Sequence, residues 1–420
     1  MEILKKNVLT LTFLISLIIN LYSQQINTTK KFGFKDSLQT EMILDFKFIS
    51  NLIVIPISIN GSDSLNFILD TGLRFPIITL LPDDKSITFE YVKETIISGL
   101  GEEEDSKAWI TYGNQLEIKD MVGQFISVYV LDRDRFNLSS QMGIEINGLI
   151  GFDIFENFIV EIDYVKQKIK FYSPSTFEYK KKYNKWITFP IELYNSKPYM
   201  VLPVTFFNDS TSDVKLLIDN GSSDALWLFT GTDENINYPE NGTEFYLGQG
   251  LNGNIYGKQN KIKSLQIGRY TLEDVTTSYP DSSSVRFSLM NDVEDRNGSI
   301  GSEVFRRFNV LIDYSNLKIS LKPNSNFSDK FYFNLSGIDI ITPLPGFPLY
   351  QVSQVRKESP AYYAGVKVGD QFESINGIDI VNYSYNDVIV KFRSNEGQKI
   401  KLKLNRDGKT VTAKFRLTEM

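Results

Sequence analysis

Two short segments of this chain contain the residues best suited to acid–base chemistry. Each is an apolar run that ends in an aspartate, a small polar residue and a glycine: Asp70-Thr71-Gly72 in the first segment and Asp219-Asn220-Gly221 in the second. A single segment of this kind is ordinary turn chemistry and is weak evidence of a site. The two segments matter because their surroundings also recur.

The sequence around the two aspartates repeats at a nearly constant offset. Asp70 and Asp219 are 149 residues apart, and an Asp-Tyr pair recurs at Asp163 and Asp313, which are 150 residues apart. Apolar segments recur in the same order between these points. The matching segments are Ile53–Ile57 with Met200–Val204, and Leu149–Gly151 with Ser299–Gly301. Two copies of one acid-bearing unit predict a site built from two carboxylates, one from each copy.

The chain contains no histidine and no cysteine, which narrows the chemistry it can do. Serine–histidine and cysteine–histidine catalysis, disulfides and histidine-ligated zinc are excluded. Carboxylates are the acid–base candidates that form a repeated arrangement, and we expect no metal and no cofactor. The acidic run at residues 102–105 fits a solvated loop, with a metal site as the alternative. The net charge of −6 and the lack of a basic patch argue against a nucleic-acid partner.

Residues 1–23 have the pattern of a secretory signal peptide. Lys5 and Lys6 precede an apolar stretch, Val8–Leu21, and Ser23 is a small residue before a polar segment. The apolar stretch is short for a full membrane span, so we expect cleavage after Ser23, with an uncleaved anchor helix as the alternative. The mature protein would then be exported, periplasmic or secreted, and would have no stable membrane span.

The length and the many short alternating runs predict a mostly β protein of several domains. The first repeat covers residues 45–174 and the second covers residues 186–323. A basic, aromatic segment, Tyr179–Tyr183, joins them and is typical of a solvated linker. A last domain of different character covers residues 333–418. Because both repeats lie in one chain, we expect a monomer with two lobes.

The repeats resemble the pepsin-like and retropepsin-like aspartic proteases over about residues 45 to 323. Residues 70–72 match the Asp-Thr/Ser-Gly motif of that family, and the segments ending in Gly151 and Gly301 match its apolar-apolar-Gly motif. The resemblance implies an aspartic endopeptidase with peptide or protein substrates, in which Asp70 and Asp219 share a proton and activate water. It also implies supporting residues around the acids and flaps over the cleft. The supporting residues are Thr71, Gly72, Asn220, Gly221 and Ser222, and the flap residues are Gly99, Gly101, Gly248 and Gly250.

Position 220 departs from the pattern of that family. Asn220 stands where the family has Thr or Ser, whose hydroxyl braces the two acid-bearing turns. An amide can donate and accept hydrogen bonds, but it is longer and differently shaped. This departure supports an alternative, a non-catalytic peptide-binding protein that keeps the cleft.

The C-terminal domain closely resembles a bacterial PDZ domain between about Gly337 and Leu417. The segment Ser359–Asp370 and the following Ile375-Asn376-Gly377 carry the resemblance. It implies that an extended peptide segment or a peptide C-terminus binds along a sheet edge.

We expect the peptide site of this domain at Gly346, Phe347 and Leu349. Gly346 and Phe347 belong to the expected carboxylate loop, and Leu349–Val355 is the expected edge strand. A structural domain that binds nothing is the alternative. The expected fold is therefore mostly β: two homologous acid-protease-like β lobes followed by a PDZ-type α+β domain.

Overall fold

The computed structural model describes residues 31–82, 87–101, 105–132, 134, 136–240, 243–285, 295–393 and 395–419. The predicted signal peptide, residues 1–23, and residues 102–104 of the acidic run lie outside these ranges. Strands dominate the described residues, which confirms the mostly β fold class. No helix in these ranges is both long and apolar enough to cross a membrane.

The first repeat is built almost entirely of short strands. In chain order they are β1 (Lys31–Phe34), β2 (Glu41–Asp45), β3 (Lys47–Ile49), β4 (Leu52–Ile59), β5 (Leu65–Leu69), β6 (Ile77–Ile78), β7 (Tyr91–Ile97), β8 (Ser106–Ile118), β9 (Met121–Leu131), β10 (Gly148–Ile150), β11 (Ile159–Asp163) and β12 (Lys168–Tyr172). Two short helices interrupt them, α1 (Leu138–Met142) and α2 (Phe152–Phe155).

The second repeat has the same succession of elements after a 3-10 helix at Lys181–Lys185. Its strands are β13 (Ile187–Pro190), β14 (Glu192–Tyr194), β15 (Lys197–Thr205), β16 (Thr211–Asp219), β17 (Leu226–Leu228), β18 (Thr243–Gly250), β19 (Gly253–Ile267), β20 (Tyr270–Pro280), β21 (Arg296–Gly301), β22 (Phe308–Asp313) and β23 (Lys318–Pro323). The helix α3 (Ser302–Phe305) follows β21, as α2 follows β10.

The strand pairings show that the sequence repeat is also a structural repeat. In the first lobe the sheet order is β1-β9-β6-β10-β5-β4-β8-β7, with β3 on β4 and β8 also on β9. In the second lobe it is β14-β15-β16-β21-β17-β20-β19-β18, with β15 also on β19. The equivalent strands pair in the same way in both lobes, and the extra pairings curl each sheet into a barrel-like shape.

A third sheet joins the two lobes. Its order is β13-β23-β22-β11-β12-β2, and its centre is the antiparallel pair β11 and β22, which comes from different lobes. Strands β1 and β2, which begin before residue 45, are part of these sheets. One continuous hydrophobic core extends through both lobes and this joining sheet.

The alternation of apolar and polar residues explains which strand faces are buried. In β2, Met42 and Leu44 are buried while Glu41 and Asp45 are exposed, because successive side chains point to opposite faces. The end of β16 is different: residues 216–218 are all buried as the strand approaches its aspartate. Burying each Leu or Ile side chain contributes about 1.5–3 kcal/mol, so the acid-bearing strands are among the most firmly held.

The C-terminal domain has its own sheet and its own hydrophobic core. Its elements are β24 (Ile338–Ile341), β25 (Gln351–Val355), α4 (Pro360–Tyr363), β26 (Gln371–Ile375), β27 (Ile378–Asp379), a 3-10 helix at Ile380–Asn382, α5 (Tyr385–Phe392), β28 (Lys399–Arg406) and β29 (Lys409–Arg416). Helix α5 begins with a capping box between Ser384 and Asp387.

The expectation that Leu349–Val355 forms the edge strand of this domain is wrong. The sheet order is β24-β25-β26-β28-β29, with β27 on β26, so β25 lies between two neighbours. Val352 shows this directly, since its N–H donates to Asp370 on the β26 side. The outer strand is β24. After Ile341 the chain turns back and forms β25, which pairs antiparallel with β24 and lies between β24 and β26.

Candidate active site

Asp70 directly follows β5, and the neighbouring strand β10 holds its backbone in place. The two strands are parallel, with Ile150 beside Leu69, and the Asp70 N–H donates to the Ile150 carbonyl at 2.8 Å. Gly151 then crosses the acid loop so closely that a Cβ there would lie 1.9 Å from the Asp70 carbonyl oxygen. The apolar-apolar-Gly segment therefore positions the first carboxylate, because no larger residue fits at its end.

Asp219 is held by the same arrangement in the second lobe. It is the last residue of β16 and lies beside Gly301 of the parallel strand β21. A Cβ at position 301 would lie 2.2 Å from the Asp224 carbonyl oxygen, so glycine is required here as well.

The two carboxyl groups meet where the lobes face each other. The carboxyl groups of Asp70 and Asp219 lie close together, since a Cβ placed on Gly72 would lie 3.2 Å from Asp70 Oδ1 and 3.5 Å from Asp219 Cγ, and both residues are partly exposed. Each carboxyl also accepts from the glycine two residues later: Gly72 N–H to Asp70 Oδ1 at 2.7 Å, and Gly221 N–H to Asp219 Oδ1 at 3.1 Å. The structure thus brings together the two aspartates that the repeat singled out.

The surroundings favour a shared proton on this pair. Withdrawal from water, and next the neighbouring Asp219, raise the pKa of Asp70 to about 8. Withdrawal from water also raises the pKa of Asp219, but Arg296 is the largest of several influences that oppose the rise. The two carboxyl groups therefore titrate as one pair that holds a shared proton, and the charge of Arg296 favours the ionised form of Asp219. This arrangement can act as a general acid and a general base at once.

A hydrogen-bonded brace connects the two acid loops behind the carboxyl groups. The Thr71 hydroxyl donates to the Ile218 carbonyl at 2.7 Å and accepts from the Asn220 N–H at 3.0 Å. In return, Asn220 Oδ1 accepts from the Thr71 N–H at 2.6 Å. The Asn220 amide oxygen thus accepts a hydrogen bond across the two loops, whereas the Thr71 hydroxyl both donates one and accepts one.

The donating half of that brace is missing at Asn220. Its Nδ2 is buried and has no hydrogen-bond partner among the described residues. The side chain instead faces apolar groups that include Ile162, Ile218 and Phe305. A buried amide donor left unpaired costs roughly 1–3 kcal/mol, so the folded state is less stable than it would be if every group of the brace were paired.

The residues after the two glycines differ between the lobes. The backbone N–H of Ser222 is one of the groups that oppose the rise in the pKa of Asp219. Leu73, at the equivalent position in the first lobe, instead packs against an apolar cluster that contains Ile77, Ala108 and Leu131. The acids are therefore not equivalent: one has an additional backbone donor and the other an apolar neighbour.

The two hairpins that contain the expected flap glycines meet at their tips. Asn252, at the turn between β18 and β19, donates its N–H to the Leu100 carbonyl and accepts from the Gly99 N–H, both at 2.9 Å. Its Nδ2 donates to Asp105 Oδ1 at 3.0 Å. The tip of each hairpin is therefore bonded to that of the other, and Asn252 makes most of the connections.

The glycines at these tips permit the close approach. A Cβ at Gly101 would lie 2.1 Å from the Asn252 carbonyl oxygen, and a Cβ at Gly250 would lie 2.1 Å from the Leu100 carbonyl oxygen. Gly248 marks an irregularity in the pairing of β18 with β19 and has open space around it.

The hairpins also exchange leucine side chains between the lobes. Leu251, from the second lobe, packs against the cluster of Ile77, Ala108 and Leu131 in the first lobe. Leu100, from the first lobe, packs against a cluster in the second lobe that includes Trp227 and Phe229. Both apolar clusters beside the acid loops are thus filled by a residue of the opposite hairpin.

Several residues of the site were not identified from the sequence. Arg296 is buried, its Nε donates to the Gly298 carbonyl, and its charge acts on Asp219. The equivalent position in the first lobe, residue 146, is Ile, so the sequence repeat did not indicate a functional arginine here. Tyr314 lies beside Asp70, and burial raises the pKa of its hydroxyl. The recurring Asp-Tyr pair could have indicated Tyr314.

The expected peptide-binding residues of the C-terminal domain, Gly346, Phe347 and Leu349, lie between strands rather than within them. Gly346 and Phe347 lie in the loop that leads out of β24, and Leu349 precedes β25. A peptide antiparallel to β24 would bring its C-terminus to the start of that strand instead. Gly346 contacts the first lobe, where its N–H donates to the Gly143 carbonyl at 2.8 Å.

Comparison with known proteins identifies one part of the chain. Residues 351–406 match the family model of the PDZ domain. The C-terminal domain is a PDZ domain. Its sheet, with α4 and α5 packed on the core, agrees with the fold that the sequence resemblance implied.

Two curated relatives match shorter parts of the chain. A predicted zinc metalloprotease of Lactococcus lactis is 38% identical over 61 residues, which are 14% of this chain and 14% of the relative. The carboxy-terminal processing protease CtpB of Bacillus subtilis is 26% identical over 123 residues, which are 29% of this chain and 25% of the relative. The chain therefore spans a quarter or less of the length of each relative.

The zinc chemistry in the name of the first relative does not fit the residues of this chain. Zinc sites in proteins draw mainly on Cys and His, and this chain has neither. No group of three or more acidic residues that could hold a metal ion occurs in the part of the chain that the structure describes.

Proposed function

We propose that this protein is an exported aspartic-type endopeptidase that uses Asp70 and Asp219 to hydrolyse peptide bonds. The close approach of the two carboxyl groups, whose pKa values are both raised, carries the proposal, because adjacent carboxyl groups share one proton. The matching segments of two relatives named as proteases are consistent with a peptidase.

The proposed reaction assigns a different role to each acid. Asp219, the carboxylate, takes a proton from a water molecule as the water oxygen attacks the peptide carbonyl carbon. Asp70 donates its proton to the carbonyl oxygen, which gives a tetrahedral diol. When the diol collapses, the C–N bond breaks, Asp219 gives the proton it took from water to the leaving nitrogen, and Asp70 takes back a proton from a diol hydroxyl as the new carboxyl group forms. Arg296 supports these roles because its positive charge favours the ionised form of Asp219.

Substrate entry requires the two hairpins to separate. The tips are bonded through Asn252, and the leucines at the tips fill the apolar clusters on either side of the acids. An extended peptide reaches the carboxyl groups only after these contacts open.

Peptide-cleavage profiling tests this proposal. The protein, Asp70→Asn and Asp219→Asn are incubated with a proteome-derived peptide library at several values between about pH 3 and pH 8, and new termini are read by mass spectrometry. We expect cleavage by the wild type alone, inhibition by pepstatin and no effect of a chelator. Equal cleavage by both Asn variants, or loss of cleavage with the chelator, would reject the assignment.

A second candidate function is peptide binding without hydrolysis. The unpaired amide of Asn220 favours it, because an incomplete brace places the carboxyl groups less firmly. The variant Asn220→Thr separates the two functions. Cleavage by neither protein, combined with peptide binding by both, would establish the binding function; cleavage by the wild type would exclude it.

Export to the periplasm or the medium is part of the proposal and rests on the sequence pattern of residues 1–23. N-terminal sequencing of the protein recovered outside the cytoplasm is expected to begin at Gln24. Recovery of the full-length chain with the membranes would favour the anchor-helix alternative. With both acids in one chain, a monomer is expected from light scattering of the purified protein.

A further inference from the structure

Strand β24 presents the one edge at which an extended peptide could extend the described PDZ sheet beside α5. PDZ domains bind peptides by this kind of strand addition. The N–H of Arg356 donates to the Gly337 carbonyl, so alternate residues of β24 direct their backbone groups away from β25. The outward residues are Ile338, Ile340 and Thr342.

The first lobe occupies the C-terminal end of this edge. The Thr342 N–H donates to the Ser140 carbonyl of α1 at 2.7 Å, and the Gly346 N–H donates to the Gly143 carbonyl at 2.8 Å. The segment 140–143 therefore accepts hydrogen bonds from the PDZ domain at the position that an added peptide strand would take.

The same segment also covers the start of α5. A Cβ at Gly143 would lie 2.7 Å from the Tyr385 Cβ, so the Gly143 backbone is in close contact with the Tyr385 side chain. The Tyr385 hydroxyl donates to the outward Ile340 carbonyl at 2.9 Å. Next to it, Asn386 Oδ1 accepts from the Ser50 N–H of the first lobe at 3.1 Å. The space between β24 and α5 is thus closed at this end by the first lobe and by Tyr385.

The opposite end of the edge is occupied by Asn334. Its Oδ1 accepts from the N–H groups of Ser336 and Gly337 at 3.1 and 3.3 Å, and its Nδ2 donates to the Ile338 carbonyl at 2.7 Å. A peptide antiparallel to β24 would bring its terminal carboxylate to these donors. An amide oxygen of this chain already takes the place of a carboxylate oxygen.

We infer that segment 140–143 of the first lobe is the resident occupant of the PDZ peptide edge, and that an extended peptide competes with it. Peptide binding then separates the PDZ domain from the first lobe at this contact. The inference does not depend on the proposed hydrolysis, and it is tested in the Asp70→Asn background so that cleavage cannot remove the probe.

The test uses two matched glycine substitutions. Gly143→Asn introduces a residue that tolerates the left-handed backbone at φ +72°, but the added Cβ would clash with Tyr385. Gly231→Asn introduces the same residue at φ +79°, where no atom lies within 4 Å of the added Cβ. The probe is a pool of random peptides of about ten residues with free C-termini.

We expect Gly143→Asn to retain at least about tenfold more of the pool than the wild type or Gly231→Asn, because it no longer has to displace the first lobe. The enriched peptides are then added to the wild type, where they should accelerate hydrogen exchange at the Gly346 amide. This second measurement does not depend on how well the variant folds. Equal retention by all three proteins, or retention by none, would overturn the inference, as would an unchanged Gly346 exchange rate at saturating peptide.

Discussion

Gly221 lies directly against the carboxyl group of Asp70, although the two residues belong to different lobes. A Cβ at position 221 would lie 2.3 Å from the Asp70 Cγ. The reverse contact is looser, since a Cβ at Gly72 would lie 3.5 Å from the Asp219 Cγ. The absence of a side chain at position 221 is thus a condition for the two acids to meet.

This asymmetry predicts unequal effects of two similar substitutions. Gly221→Ala should lower kcat for peptide cleavage by roughly 100-fold, because the added methyl displaces the Asp70 carboxyl by an appreciable part of an ångström. Gly72→Ala should lower it by less than about tenfold, since its nearest contact is 3.2 Å from Asp70 Oδ1. Steady-state kinetics and near-UV circular dichroism measure activity and folding. Equal losses in the two variants would contradict the assigned geometry.

The brace predicts opposite effects on stability at positions 71 and 220. Thr71→Val leaves the Ile218 carbonyl and the Asn220 N–H without their side-chain partner. We expect a loss of roughly 2–4 kcal/mol in the free energy of unfolding. Asn220→Thr removes the unpaired Nδ2 and should gain about 1 kcal/mol. Urea unfolding of the three proteins measures both changes, and a stability loss in Asn220→Thr would contradict the interpretation of that amide.

The raised pKa of Asp70 predicts how stability depends on pH. Its pKa is about 8 in the folded protein against a usual value of 3.8, so between these values the folded state binds a proton that the unfolded state lacks. The stability that this proton contributes is fully present below about pH 4 and is lost as the pH rises towards 8. Asp70→Asn should therefore show a smaller decline in urea midpoint over this range than the wild type.

The exposed Asp120 provides a control for charge alone. Asp120→Asn should follow the wild-type profile, and an identical profile for Asp70→Asn would contradict the prediction. The same pKa values predict that peptide cleavage declines on the alkaline side near pH 8, as Asp70 loses its proton. On the acid side cleavage should decline as Asp219 gains one.

The contact between the hairpins predicts a specific role for Asn252. Asn252→Ala removes the acceptor of the Gly99 N–H and the donor to Asp105. Losing a net hydrogen bond of about 1 kcal/mol should accelerate hydrogen exchange at the Gly99 amide by roughly fivefold or more. Asn254→Ala, in the same hairpin but with an exposed side chain, is the matched control. Equal exchange rates in both variants would show that Asn252 does not hold the tips together.

The repeat made the acid-bearing part of the fold predictable. Asp70 and Asp219 follow apolar strands at matching positions, and the strand pairings of the two lobes are equivalent. Segments that recur with the same spacing fold the same way because their local patterns and their partners recur together. Arg296 could not be found in this way, since it has no counterpart in the first lobe.

The PDZ edge shows where local pattern is insufficient. The sequence correctly indicated the domain, but it suggested β25 as the edge strand. Which strand lies outermost depends on the return of the chain after Ile341, and several registers satisfy the same alternation of apolar residues. The contact of Thr342 with Ser140 joins residues about two hundred positions apart, and no sequence pattern links them.

By itself, the sequence determined that two carboxylates recur in register, that histidine and cysteine chemistry is absent, and that a PDZ domain follows. These are properties of residue type and spacing. The tertiary structure alone decided that the side-chain oxygen of Asn220 accepts a hydrogen bond while its side-chain nitrogen stays unpaired. It also decided that Leu100 and Leu251 each pack into an apolar cluster of the opposite lobe. It also decided that the first lobe covers the PDZ edge. Such contacts depend on how distant surfaces pack, and the packing free energy is a property of the whole fold rather than of any segment.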